Sequence, residues 1–177
     1  MIHYREADTA DAAGIAALHA DSWRRHYRGA LADSFLDGDV GADRLAVWTA
    51  RLRRPDPGSV TVLATDHDGT LTGFAHVIFD DDPTWGALLD NLHVAAGQQR
   101  RGIGARLMEL SAAPVRTGLY LWVLEQNIAA QRFYEANKGE RVETDAMPDP
   151  EGVPGRLNGE PRRMRYVWRD PSVLARR

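Results

Sequence analysis

The feature that most constrains the fold of this chain is a glycine loop between an apolar run and an amphipathic segment. The apolar run spans 88–94, the loop 99–104 reads Gln-Arg-Arg-Gly-Ile-Gly, and the amphipathic segment follows at once. The two glycines let backbone N–H groups approach a ligand, and the first turn of a helix carries unpaired donors and partial positive charge. Arg100, Arg101 and Arg106 add full charge. The junction therefore predicts a phosphate or pyrophosphate site.

Two other phosphate loops fit less well. A nucleoside-triphosphate loop requires Lys-Ser or Lys-Thr after its glycines, and no such pair follows here. A dinucleotide fingerprint requires a third glycine at position 107, which is leucine, and is expected earlier in a chain. A plain strand-to-helix turn with solvated arginines stays open as the non-functional alternative.

The pattern Q-x-x-G-x-G at 99–104 resembles the acetyl-CoA loop of the GCN5-related N-acetyltransferase (GNAT) family. A second unit agrees, because the run 121–127 ends in Asn and is followed by Arg-Phe-Tyr-Glu at 132–135. The segments 2–8 and 18–23 resemble the opening strand and first helix of the family. The resemblance spans most of the chain; it concerns the fold and the cofactor more than the acceptor.

The resemblance implies an α/β (α+β) fold with a mixed, mostly antiparallel central sheet flanked by helices. Acetyl-CoA is expected where two strands splay apart. A length of 177 residues, 44% of them hydrophobic and 27% charged, suits one globular domain over 1–177. We find no internal repeat and no linker.

Periodicity and turn residues predict the order of elements. The predicted strands are 2–5, 60–65, 71–79, 86–94, 119–123, 140–143 and 163–168. The predicted helices are one capped by Asp8, then 31–36, 45–52, 103–112 and 128–136. A hairpin turn is expected at 66–69, a short loop at Asp80–Pro83 and a long loop at 148–161.

The resemblance assigns cofactor contacts to three places. A backbone N–H within 92–94 would polarise the acetyl carbonyl, the loop N–H groups would take the pyrophosphate, and a side chain at the start of the second helix would bind the cofactor arm. The implied cofactor-binding residues are Leu92, His93, Val94, Gln99, Arg100, Arg101, Gly102, Ile103, Gly104, Ala105 and Asn127.

Tyr134 is the candidate general acid. A phenol with an ordinary pKa near ~10 can return a proton to the departing thiolate of CoA. The alternative is that Phe133 and Tyr134 only pack a helix against the sheet. The position of Tyr134 relative to Asn127 favours the catalytic interpretation.

The general base has three candidates, because an alkylammonium with a pKa near ~10 must lose a proton before it attacks. Asp90 is the first, His93 the second and His76 the third. Strand alternation predicts that Asp90 shares a face with Leu92, and His93 the other face with Asn91. Each candidate also has a structural alternative, as a salt-bridged carboxylate or a hydrogen-bonded sheet histidine.

Acceptor recognition is expected from Trp23 and Tyr27, in an aromatic and basic cluster that also holds His26 and Arg28. Core packing by Trp23 is the alternative. The acceptor itself is expected to be a primary amine of a small molecule or peptide. The acidic run Asp80–Asp82 can attract an amine, but it is typical of a turn and is not expected to bind a metal.

The chain departs from the family pattern in two places. The Gly-Phe pair that often opens the strand after the second helix is here Gly139-Glu140, although Asn137 or Gly139 can still end that helix. The acidic residue that some members carry near the start of the strand before the glycine loop is here Leu88. This absence weakens the case for a directly placed base.

Composition excludes several classes of function. The chain has no cysteine, so disulfides, a thiol nucleophile and a sulfur-ligated zinc site are impossible, and no G-x-S-x-G elbow appears. A net charge of -3 gives no reason to expect nucleic-acid binding. No basic leader and no apolar run of ~20 residues appears, so we expect a cytoplasmic chain without membrane contact.

Exposed edge strands, which often support dimers in this family, leave a homodimer open. A CoA-binding regulatory domain without turnover is the rival function.

Overall fold

The computed structural model describes residues 1–175 and shows seven strands in one sheet. The strands are β1 (His3–Glu6), β2 (Ser59–Thr65), β3 (Leu71–Asp82), β4 (Gly86–Val94), β5 (Leu119–Leu124), β6 (Glu140–Ala146) and β7 (Arg162–Trp168). The helices are α1 (Ala12–His26), α2 (Asp33–Leu36), α3 (Val40–Arg53), α4 (Ile103–Ala112) and α5 (Ile128–Ala136). Within residues 1–175, no helix has both the length and the apolar character to cross a bilayer.

The spatial order of the strands is β1-β2-β3-β4-β5-β7-β6. Every neighbouring pair is antiparallel except β4 and β5, which are parallel. The mixed, mostly antiparallel sheet flanked by helices confirms the predicted fold class. The bounds of β4, α4 and α5 coincide with the predicted ones.

The predicted loop at Asp80–Pro83 is wrong in part, because β3 continues to Asp82, which pairs with Gly86. The strand passes through an irregular register after Ile78, with Asp80 in the left-handed region at φ 51°. The carboxylate of Asp82 then accepts the N–H groups of Thr84 and Trp85 at 2.7 and 2.9 Å. These bonds place the reversal after Asp82 rather than before it.

The two faces of the sheet are covered by different helices, because side chains alternate along each strand. On one face, α4 and α5 pack with residues such as Leu107 and Tyr134 against a core that includes Leu121 and Tyr166. On the other face, α1 and α3 cover only the half of the sheet nearest β1, around the fully buried Trp48. Among residues 1–175, the buried core that α1 and α3 build with this second face contains no residue of β5 or β7.

β4 and β5 separate soon after they begin. Their ladder consists of two register pairs, Ala87 with Leu119 and Leu88 with Tyr120. At the start of the ladder the backbones of Gly86 and Gly118 are in close contact. A Cβ on Gly86 would lie only 2.1 Å from the Gly118 carbonyl oxygen. Beyond position 88 the two strands diverge, which is the splay that the family resemblance implies.

The missing Gly-Phe pair after α5 is compensated by a tryptophan from β7. Trp168 is 2% exposed and its Nε1–H donates to the Asn137 carbonyl at 2.8 Å. A Cβ on Gly139 would lie 2.7 Å from the Trp168 ring, so the glycine makes room for it. Asn137 ends the helix, as predicted, while Lys138 rather than Gly139 takes the left-handed conformation, at φ 70°.

Candidate active site

A β-bulge in β4 determines where the candidate base lies. His76 pairs with Asn91 and the next residue of β3 pairs with Leu89, so Asp90 is an extra residue on β4. The Asp90 carboxylate accepts from the Asn91 amide at 2.7 Å and lies 3.6 Å from Arg51 on α3. The prediction that Asp90 shares a face with Leu92 is therefore wrong, because the bulge interrupts the alternation. Asn91 and His93 do share a face.

Backbone donors of β4 face the gap beside β5. The Ala95 N–H donates to the Thr72 carbonyl at 2.9 Å, which identifies a hydrogen-bonded pair between β3 and β4. Antiparallel pairs alternate between bonded and non-bonded. The N–H and C=O groups of Val94 and Leu92 therefore point away from β3, toward the gap, while those of His93 point to β3. Of the three predicted positions, Leu92 and Val94 can offer an N–H to a ligand in the gap.

The glycine loop ends at the N-terminus of α4, as predicted. Gly102 caps the helix with φ 78° and no side chain satisfies the helix end. The first helical bond runs from the Arg106 N–H to the Gly102 carbonyl at 3.0 Å. The N–H groups of Ile103, Gly104 and Ala105 therefore have no helical acceptor, which is the arrangement that the predicted pyrophosphate contact requires.

The arginines near this turn differ in their availability. Arg106 is ion-paired with Glu109 on its own helix at 2.8 Å. Arg101 donates to the Gln98 side chain, and both Arg100 and Gln99 are exposed. Positive charge beside the turn therefore comes chiefly from Arg100 and Arg101.

Gly104 has a packing role in addition to its place in the turn. A Cβ there would lie 3.3 Å from the Phe133 ring, so the glycine lets α4 approach α5. Asn127 caps α5 by accepting the Ala130 N–H at 3.1 Å with its Oδ1. This leaves the Asn127 amide N–H groups for the predicted bond to a cofactor arm. The two sequence motifs are thus in contact beside the gap.

The Tyr134 side chain is 8% exposed and packs among Phe133, Tyr166 and Trp168 at centroid distances of 5.3 to 6.2 Å. Its hydroxyl makes no hydrogen bond within residues 1–175. Burial, and the nearby hydroxyl of Tyr27, raise the Tyr134 pKa. Tyr27 follows α1 on the opposite face of the sheet, so this electrostatic interaction crosses the sheet at the gap. The Tyr134 ring therefore packs against the sheet, as the structural alternative states, but its hydroxyl is left without a hydrogen-bond partner among residues 1–175.

Asp90 is accessible, and it lies between Arg51 of α3 and the gap, in the region called the cleft below. About a third of its side chain, 34%, is accessible, while surrounding protein excludes much of the bulk water. This burial raises the Asp90 pKa, and the cation of Arg51 lowers it by a smaller amount. A carboxylate with a raised pKa is a better proton acceptor than a fully solvated one.

The histidine candidates are held neutral inside the fold. His93 Nδ1 lies 2.8 Å from Ser22 Oγ, and its ring is 4.7 Å from that of His19. His76 Nδ1 lies 2.8 Å from Thr61 Oγ1 beneath the helix layer. Burial lowers the pKa of both His93 and His76 to about 3. Each is consequently a weak base, and His76 has the structural role that the alternative described.

We expect the free energy of unfolding to decrease as the pH falls below about 6.5. An unfolded histidine binds a proton near pH ~6.5, whereas folded His76 and His93 resist protonation until about pH 3. The unfolded chain therefore binds more protons between these values, with a slope of up to about 1.4 kcal/mol per pH unit for each histidine. Urea unfolding at pH 7.5, 6.5 and 5.5 measures this slope. His76→Asn, which can keep the Thr61 bond, should flatten it; an unchanged slope would contradict the assignment.

Tyr27 and Trp23, the aromatic residues of the predicted cluster, stack on each other, and Tyr27 is the more exposed of the two. The pair is called the aromatic wall below. Their rings stack at 5.3 Å and 18°. Tyr27 is half-buried, and burial together with the Asp90 charge raises its pKa to about 12. Trp23 is buried against His19 and Phe35, so its contact with an acceptor stays a prediction.

Sequence reasoning missed a buried ion cluster beneath this wall. Arg44 is 2% exposed, lies 4.3 Å from the centre of the Trp23 ring, and pairs with Asp43 at 2.6 Å and Glu151 at 3.2 Å. Glu151, at φ 55°, belongs to the long loop between β6 and β7. The cluster fixes that loop against α3 beside the cleft. Only a helical pattern that places an arginine on the buried side of α3 could have indicated it.

Comparisons with known proteins agree with this architecture. The model of the Acetyltransferase (GNAT) family matches residues 15–139. A probable N-acetyltransferase of Mycobacterium tuberculosis, Rv2775, is 30% identical over 76% of this chain and 77% of its own length. An uncharacterised N-acetyltransferase of Bacillus subtilis, YuaI, is 28% identical over 82% of this chain and 84% of its own.

Solved structures share the fold. The PaiA N-acetyltransferase from Thermoplasma acidophilum, crystallised with coenzyme A, has a TM-score of 0.73 at 18% identity, covering 95% of this chain and 99% of that one. YncA from Salmonella typhimurium, a putative acetyltransferase crystallised with acetyl-CoA, has a TM-score of 0.66 at 17% identity. The match covers 100% of this chain and 96% of YncA. With a family model that matches more than two thirds of its length, the chain belongs to the GNAT acetyltransferase family.

Proposed function

We propose that this protein transfers the acetyl group of acetyl-CoA to a primary amine of a small molecule or peptide, by direct attack in a ternary complex. The observation that carries the proposal is the gap between β4 and β5. It has unpaired N–H groups of Leu92 and Val94 on one side, an unengaged phenol at Tyr134 and the Asp90 carboxylate beside it. The family and the relatives crystallised with CoA or acetyl-CoA support this cofactor.

The residues present fit acetyl-CoA. An extended pantetheine arm can add to the free edge of β4 as a strand would, through the N–H and C=O groups of Leu92 and Val94. The turn at 102–105 offers convergent N–H groups for the pyrophosphate, with open space at the Gly102 Cα. The Asn127 amide is free to donate to the arm. When bound, the thioester supplies the activated acetyl carbon.

The proposed chemistry needs three functions from the chain. Asp90, directly or through a water, removes a proton from the ammonium so that the nitrogen lone pair forms a bond to the acetyl carbon. The N–H of Leu92 or Val94 stabilises the negative charge that develops on the carbonyl oxygen. Tyr134 donates its proton to the sulfur as the carbon–sulfur bond breaks, so that CoA leaves as a thiol. The nitrogen gives up its second proton as the amide forms, and this proton returns through water to the Tyr134 phenolate. The products are the N-acetylated amine and CoA.

Asp90 is the better base of the two residues proposed on β4. The raised pKa of Asp90 brings it toward the pKa of the amine, whereas His93 with a pKa of about 3 has little affinity for a proton. His93 is also held by Ser22 and packed against Phe74 at 5.3 Å. We therefore propose that His93 shapes the cleft as a neutral ring.

Thiol release from acetyl-CoA across a panel of amines tests the function. The chain has no cysteine, so a thiol reagent detects CoA without background from the protein. Amine-dependent release, with an N-acetyl product found by mass spectrometry, is the expected result. Binding of acetyl-CoA without release for any amine would instead favour a CoA-binding regulatory domain.

Asp90→Asn is expected to lower kcat/KM for the amine by about 100-fold at pH 7. The amide has nearly the same shape but cannot accept the proton. The loss should become smaller as the pH approaches ~10, where free amine is abundant. Asp80→Asn is the matched control, because Asp80 is exposed at the end of β3. Equal kinetics for the two variants, or a loss that does not change with pH, would remove Asp90 from the reaction.

A further inference from the structure

Trp122 faces the cleft from the far side of the gap. The ladder between β4 and β5 ends with Leu88 and Tyr120. Two residues further along each strand, Asp90 and Trp122 therefore flank the widening gap from opposite sides. Leu121 and Val123 point into the core beneath α4 and α5, and alternation therefore turns Trp122 to the opposite face. This is the face that carries Asp90, which contacts α3. Trp122 is half-buried and lies outside the core that α1 and α3 build on this face.

Arg163 of β7 stacks on this ring, and its guanidinium has N–H groups that are not fully paired. Its guanidinium carbon lies 3.9 Å from the centre of the Trp122 ring. Its Nε is buried and has no hydrogen-bond partner among residues 1–175. The nearest carboxylate, Asp145, is 3.9 Å away and largely exposed. The neighbouring Arg165 lies over the same ring at 4.3 Å, but its Nε donates to Glu143 at 2.5 Å.

A guanidinium in this position is poorly compensated. Burial lowers the Arg163 pKa more than Asp145 raises it. The Nε–H is shielded from solvent, whereas the side chain as a whole is 25% exposed. A ligand therefore reaches the guanidinium through its terminal N–H groups, and a planar carboxylate can meet two such donors at once. The formal charges of Arg163 and Arg165 are balanced by those of Asp145 and Glu143, so a monoanionic carboxylate is accommodated with less repulsion than a phosphate dianion.

We propose that Arg163, stacked on Trp122, binds a carboxylate of the acceptor, and that the acceptor is therefore an amine that also carries a carboxylate, as an amino acid does. This inference rests on the proposed acetyl transfer. The amine nitrogen lies toward Asp90 and the gap, and the carboxylate lies on the open face of β5 and β7. Polyamines, which have no anionic group, bind less well.

Steady-state kinetics with matched substrate pairs test the proposal. Each pair consists of a straight-chain amino acid and the amide of its carboxyl group. The amine and the carboxyl group are separated by two to six carbons. We expect the acid to have a KM at least about 10-fold lower than its amide at the best chain length. Arg163→Gln should raise the KM for the acid about 10-fold, change kcat less than about twofold and leave the amide unaffected.

Arg162→Gln is the matched control, because Arg162 is the adjacent arginine of β7, exposed on the opposite face. Should Arg163→Gln fail to fold, Arg163→Lys keeps the charge and loses the paired donors, and should raise the KM of the acid alone. Equal KM values for acids and amides, or equal effects of the variants at 162 and 163, overturn the proposal.

Calorimetric binding of the same pairs in the presence of CoA separates the two proposals. Turnover of amides and acids alike refutes the carboxylate site and leaves the transferase intact. Absence of turnover for every amine refutes the transferase. In that case, wild-type binding of acids but not amides, lost in Arg163→Gln, still supports the carboxylate site, and equal binding refutes it.

Discussion

Tyr134→Phe is expected to lower kcat by about 100-fold while the KM for acetyl-CoA changes less than about twofold. The ring packs among Phe133, Tyr166 and Trp168, so removal of one oxygen should leave the fold unchanged. What disappears is the proton that neutralises the thiolate of the departing CoA. Steady-state thiol release, with acetyl-CoA and amine varied in turn, separates kcat from KM.

Tyr166→Phe is the control for this prediction. Tyr166 lies in the same cluster, 6.0 Å from the Tyr134 ring, but its hydroxyl donates to Glu135 at 2.8 Å and takes no part in the proposed reaction. We expect its kcat to stay within about twofold of the wild type. A Tyr134→Phe variant with the kcat of this control would show that Tyr134 only packs, as the structural alternative holds.

Gly86→Ala is expected to lower the free energy of unfolding by more than about 3 kcal/mol. Gly86 has φ 88°, which costs an alanine about 1–2 kcal/mol. In addition, the new methyl would lie 2.1 Å from the carbonyl oxygen of Gly118, so the backbones of β4 and β5 must separate. Because these glycines fix where the two strands meet, we also expect weaker binding of CoA.

Gly69→Ala separates the conformational cost of the positive φ from the cost of the contact with Gly118. Gly69 has nearly the same φ, 82°, but no atom within 4 Å of its Cβ position, so only the conformational cost applies. Urea unfolding of both variants should show a loss of about 1–2 kcal/mol at position 69 and at least twice that at position 86. Equal losses would mean that the contact between Gly86 and Gly118 relaxes freely.

Local patterns were sufficient to predict much of this fold. Turn and cap residues such as Gly102 and Asn127 act on their immediate neighbours, so the bounds of α4 and α5 could be read directly from the chain. The loop 99–104 and the Phe-Tyr pair at 133–134 carry the family motifs, and they led to the family that the comparisons show.

Other features depend on residues that are distant in the chain. The bulge at Asp90 exists only in register with β3, and it reverses the predicted face of the candidate base. Likewise, β3 continues past the predicted loop because Asp82 satisfies the turn that follows it. Neither result follows from alternation along a single strand, because register is a property of pairs.

The sequence by itself determined the order of the elements and most of their bounds, the glycine turn and the family, because these depend on contacts within a few residues and on recognisable motifs. Only the tertiary structure decided what surrounds the gap: the N–H groups of Leu92 and Val94, the burial of Arg44, and the stacking of Arg163 on Trp122. These arrangements join strands and loops tens of residues apart. Their energies come from packing and desolvation, which exist only once the chain has folded.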